Sequence, residues 1–159
     1  MSGVWQSLDL GVSGPLRDAT RAEAERAFER LMAAREARCR MLVELAGTDE
    51  LEVMSPWLAR AARELGVERV DGIAVDAALW LGERIIAQAP WLRWELYVGV
   101  KKSTGYQRAV LVGFRRVDDA RYYVDVAHFV ASWLELCARR RAVKEDFLVT
   151  VFETTLADA

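Results

Sequence analysis

Histidine is nearly absent from this sequence and cysteine is scarce, with one of the first and two of the second among 159 residues. A zinc centre built on His128 would need its other ligands from thiols and carboxylates on different helix faces. Cys39 and Cys137 stand far apart, neither in a C-x-x-C pair, so neither a metal site nor a disulfide framework is expected. Positive charge is not in excess either: the formal net charge is −2. No broad positive field gathers phosphates or anionic lipid, and nucleic acid is disfavoured as a partner. Arginine outnumbers lysine, a bias expected of a GC-rich bacterial genome rather than of phosphate chemistry. No run reaches the ~18 apolar residues of a membrane span, and the opening "MSGVWQSLDLGVSGP" lacks a basic stretch followed by an apolar one. A cytoplasmic protein without a membrane partner is expected. Phosphate cradles of the forms G-x-x-x-x-G-K-[ST] and G-x-G-x-x-G, the D-x-D-x-D-G calcium loop and the G-x-S-x-G elbow are all missing, so no cofactor is expected.

What remains is apolar material in regular patterns. At 53% hydrophobic residues, the chain can bury the core of one domain. Residues 1–16, with three glycines and a proline, read as an arm, extended or disordered. Its alternating Leu8, Leu10 and Val12 suit a strand added to a sheet edge. The domain proper occupies 17–159. "TRAE" at Thr20 has capping-box spacing and starts a long helix that Gly47 stops. "SPWLARAARELG" predicts a short helix with Ser55 as cap and Pro56 at its first position. A third helix runs from about Asp71 to Ala89, and a fourth opens at the cap Asp125 and reaches about Arg140. Its stripe of Val126, Phe129, Val130, Trp133, Leu134 and Cys137 faces the core. The tail from Lys144 mixes strand and helix signals, and helix is the reading adopted.

Gly82 falls in the middle of the buried arc of the third helix. A glycine there costs about 1 kcal/mol against alanine, so its use is to let another backbone come close, and the strand that follows is the natural neighbour. "RWELYVGV" alternates, while "QRAVLVGF" is apolar on both faces and wants a central place. "RYYV" at 121–124 is the nearest third strand. The fold expected is therefore α+β: a small antiparallel sheet of about three strands packed against a long N-terminal helix and further helices.

Candidate sites are few. Asp125, His128 and Ser132 share one helix face, yet a serine within a helix lacks the exposed elbow and amide donors of a hydrolase, so the face reads as surface. Arg35 projects into the apolar stripe of the first helix with Arg38 at its margin. Each must find a carboxylate, snorkel out, or line a pocket for an anionic ligand. Trp80 lies off the main buried arc of the third helix, either under another helix or as a contact residue stacked by Arg84. Lys101, Lys102 and Arg108 make a basic hairpin that suits weak single-stranded nucleic-acid binding, although a solvated hairpin end is the plainer reading.

The order "SPWLARAARELG", "VDAALWLGERIIAQ" and "WLRWELYVG" resembles small uncharacterised bacterial α+β domains in which a leucine-glycine-glutamate helix precedes a tryptophan-led hairpin. The shared residues are Leu81, Gly82, Glu83 and Trp94, and Arg84 stands where that pattern would place a branched aliphatic. The resemblance implies an α+β domain without an assigned reaction, some examples accompanying toxin or secretion loci. The function expected is a non-catalytic protein-interaction module, immunity-like or an adaptor, contacting another protein through Trp5, Trp80 and Arg84, or forming a homodimer through a sheet edge. The alternative is a binder of, or enzyme for, a small anionic ligand near Arg35 and Arg38, and the reading leans away from catalysis.

Overall fold

The computed structural model describes residues 5–159. Among them the chain forms α1 (Arg21–Ala46), α2 (Leu51–Leu65), α3 (Val70–Gln88), β1 (Arg93–Leu96), β2 (Ala109–Val112), α4 (Val126–Ala138) and α5 (Phe147–Asp158). The domain is thus mostly helical, α+β by virtue of one two-stranded antiparallel sheet. The capping box holds at α1: Thr20 Oγ1 accepts from the Glu23 amide, and the Glu23 carboxylate accepts from the Thr20 amide at 2.7 Å. These bonds hold the Glu23 carboxyl below its ordinary range. Gly47 ends the helix in the left-handed conformation, φ 69°.

Helix α3 is the hub, packing against all four other helices. A helix apolar nearly all round belongs inside; only Asp71, Ala87 and Gln88 along it are exposed. Gly82 is central to this arrangement, but its neighbour is a side chain and not a backbone. A Cβ there would run into the indole of Trp94, which β1 lays across the helix. The Trp94 Nε1 then donates to Glu83 Oε1 at 2.8 Å, one residue along. Gly72, one turn into α3, plays the same part for the arm: Ser7 and Trp5 occupy the space its side chain would fill.

The sheet departs from expectation in strand number. Trp94 pairs with Leu111 and Leu96 with Ala109, and β2 is indeed the inner strand, but the third strand shrinks to a single bridge between Leu111 and Val124. Its length is lost because the chain turns at Asp119–Tyr122 and α4 begins two residues after Val124. Strand β1 also stops at Leu96, leaving Val98 and Val100 exposed in the hairpin loop.

Helix α2 starts one turn earlier than Ser55 and Pro56 suggest. Beginning at Leu51 buries Leu51 and Met54, and Ser55 becomes an internal residue whose hydroxyl donates to the Glu145 carbonyl and accepts from the Leu148 amide. It ties α2 to the start of α5. Asp125 caps α4 as expected, its Oδ1 accepting from the His128 amide at 2.9 Å. Phe129, expected in the core, lies on the outer side. The first four residues of the expected arm lie outside the described residues. Residues 5–15 form no strand, although Leu8, Leu10 and Val12 are turned inward and Asp9 and Gly11 outward. Among the described residues no helix is long and apolar enough to cross a membrane.

Candidate functional site

Two places in this fold gather arginines. The first is the seam between α1 and α3. Arg38 grips Asp76 with both ends of its guanidinium, Nε to Oδ1 at 2.7 Å and NH2 to Oδ2 at 2.6 Å, and also donates to the Gln6 carbonyl of the arm. The Asp76 side chain is 0% exposed and that of Arg38 14%. Burial raises the Asp76 carboxyl above its ordinary range, a shift that Arg38 and the neighbouring Trp5 indole only partly offset. The Trp5 N–H approaches without reaching hydrogen-bond geometry and has no other partner. Arg35 sits one turn earlier in α1, 43% exposed, with Nε 3.5 Å from Glu83 and NH1 donating to the Met32 carbonyl. Arg35 and Arg38, one turn apart, therefore meet Glu83 and Asp76, two turns apart on α3.

Close to both of these pairs lies Cys39. Burial above all, with help from Glu83, Asp76 and Asp49, pushes its thiol up to about 12, so it stays protonated and is a poor nucleophile. Burial raises Cys137 as well, and both cysteines are free. In the middle of α3, Trp80 is 3% exposed. Its Nε1 donates to Asp49 Oδ1 at 2.8 Å, while Arg84 lies 5.2 Å from the centre of its ring and donates to the Asp49 carbonyl. The stacking expected of Trp80 and Arg84 is present, inside the protein. Trp5, half-buried, packs on the core.

The second place is a cavity of about 430 Å³ beneath the arm. Its roof is Leu10 and the tight turn Pro15–Arg17, and its floor is Val75, Ala78 and Leu79 of α3 with Leu31 of α1. Trp94 and Ala109 of the sheet close one side, and Ala127 at the start of α4 another. The roof is latched by Gln107, buried in the hairpin loop, whose Nε2 donates to the carbonyls of Leu16 at 2.7 Å and Ala19 at 2.9 Å. Gln107 holds this position with φ 59°, a conformation that costs a non-glycine residue energy and that the two bonds and its amide bond to the Tyr97 carbonyl maintain.

Four polar side chains line this apolar space: Arg17, Thr104, Arg108 and His128. Arg108 is oriented by Asp125, whose Oδ2 lies 3.3 Å from its Nε without forming a hydrogen bond. Burial raises the Asp125 carboxyl, with Arg108 and the His128 amide pulling it back. Arg17 has no ion-pair partner among the described residues. The supposed basic hairpin thus divides: Lys101 and Lys102 stay exposed in the loop, and Arg108 turns inward to the cavity. Arg35 and Arg38 are not among the lining residues. The triad types also separate, since Asp125 is buried as a cap while His128 and Ser132 are exposed.

Fold and site together define a small helical α+β domain with a roofed, mainly apolar cavity rimmed by basic groups. Comparison with family models, curated proteins and solved structures finds no match. The resemblance carried by Leu81, Gly82, Glu83 and Trp94 gains nothing from these comparisons; in the fold Gly82 and Glu83 receive the Trp94 indole, and Leu81 is core.

Proposed function

We propose that the protein binds a small, largely apolar ligand in the cavity under its arm. The observation that carries this reading is a space of about 430 Å³ walled by aliphatic side chains, within the size range of small-molecule sites and with few polar groups placed around it. The aliphatic walls of this half-open space would exchange contact with water for contact with an apolar occupant, which favours binding. The neutral fluorophore N-phenyl-1-naphthylamine tests it. Saturable enhancement at one site per chain is expected, abolished by Ala78→Trp, which fills the floor, and by Leu16→Trp, which fills from the roof. Enhancement that never saturates, or that survives both substitutions in folded protein, would refute the reading.

The second reading is the non-catalytic interaction module, immunity-like or adaptor in role. Its support is an outward row on α4, where Phe129 and Leu136 are each 45% exposed and Ser132 lies between them at helical spacing. Sedimentation at two concentrations, with Phe129→Glu as control, reads out whether a second copy uses this row. A monomer at both concentrations would remove the homodimer from this reading.

A further inference from the structure

The polar groups of the cavity select the chemistry of its occupant. Acidic residues outnumber lysine plus arginine in the chain, 24 against 22, yet no acid lines the cavity while two arginines and the single histidine do. Asp125 stands behind Arg108 and compensates one guanidinium. Arg17 has no ion-pair partner among the described residues, so the two arginines and Asp125 together leave one net positive charge at the rim. Arg17 is exposed at the edge of the apolar space, and a guanidinium at such a rim is best matched by a planar carboxylate, which accepts its forked N–H groups and returns one unit of charge. A dianion would leave one negative charge uncompensated against apolar walls, and a cation would be repelled. The remaining walls are aliphatic apart from Trp94, which fits a flexible chain better than a stack of rings.

Resting on the cavity reading above, we infer that the ligand is a medium-chain aliphatic monocarboxylate. Its head group lies between Arg17 and Arg108, within reach of Thr104 and His128, and its tail runs over Ala78 and Leu79 under the roof. Asp125 is a positioning residue, holding Arg108 at the rim.

Isothermal titration calorimetry of the whole chain at pH 7 tests the assignment with four probes of one tail length, each kept below its aggregation concentration. They are decanoate, 1-decanol, decyl phosphate and decyltrimethylammonium. Decanoate should bind about tenfold more tightly than the other three, the scale of one charge-assisted contact. Arg17→Gln, at an exposed position, should weaken decanoate about tenfold and leave decanol unchanged. Decanol matching decanoate, tighter binding of the phosphate, or an Arg17→Gln variant with full decanoate affinity would each overturn the carboxylate assignment while leaving the cavity in use. If N-phenyl-1-naphthylamine also fails to bind, the cavity reading itself falls.

Discussion

The seam between α1 and α3 and the cavity beneath the arm are both built by putting arginines next to apolar helix surface, and they resolve the charge differently. In the seam the partners are internal: Asp76 takes Arg38 at two points, and Glu83 serves both Arg35 and the Trp94 indole. Among the described residues both of its arginines are paired with acids inside the fold. At the cavity, Arg108 has one carboxylate at 3.3 Å and Arg17 has no ion-pair partner among the described residues. Charge compensated within the fold fixes the position of two helices, whereas charge left over at the edge of an apolar space is free to recognise something else.

Breaking the seam should produce the largest effect. Arg38→Ala leaves the fully buried Asp76 unpaired and should cost about 3–5 kcal/mol in urea unfolding. Replacing both partners, Arg38→Leu with Asp76→Leu, should recover most of that loss, and failure to recover would mean the pair is not the seam's main cost. Gly82→Ala pushes a methyl into the Trp94 ring and should destabilise by about 1–3 kcal/mol despite the better helix propensity. A change in the near-ultraviolet circular dichroism of the indole should accompany it, and an unchanged spectrum would place the clash elsewhere.

Asp125 offers a subtler test, through pH. Its folded carboxyl lies above its ordinary value because of burial, so between the ordinary aspartate value and that raised value the native protein keeps a proton that the unfolded chain has released. The protein's stability relative to Asp125→Asn, which retains a capping side chain, should therefore rise as pH is lowered from 7 through the raised folded value. The gain levels off near the ordinary aspartate value of about 3.9. Paired denaturant titrations at several pH values measure it, and the opposite slope would place Asp125 in a fully compensated pair. Arg35→Gln should do least: its side chain is 43% exposed and its partner 3.5 Å away, so the change should stay within about 0.5 kcal/mol by the same unfolding assay.

How much of this was legible depends on how local each determinant is. The ends of α1 and the cap of α4 follow from Thr20, Glu23, Gly47 and Asp125, each acting within four residues. Helix α2 was misread by one turn because Ser55 and Pro56 carry the signs of a helix start, while burial of Leu51 and Met54 decided where it begins. The third strand failed for a similar reason: "RYYV" has strand character, but a turn before it and α4 after it leave room for one bridge. The seam was half visible. Two arginines in an apolar stripe announce a need for acids, and Asp76 in a helix apolar nearly all round was the signal that would have named one. The cavity was hidden, because it is assembled from the arm, three helices and both strands, and each contributes residues that read locally as ordinary core. Arg108 in particular looked like one more base on a hairpin until Asp125, seventeen positions away, turned it inward.

Ligand-induced stabilisation, read as the shift of the thermal unfolding midpoint with saturating decanoate, separates the two regions in one experiment on Arg17→Gln and Arg35→Gln. The account predicts that Arg17→Gln keeps the ligand-free midpoint and loses most of the shift, while Arg35→Gln keeps both. A shift that survives at position 17 and disappears at position 35 would contradict it, placing the recognising charge in the seam.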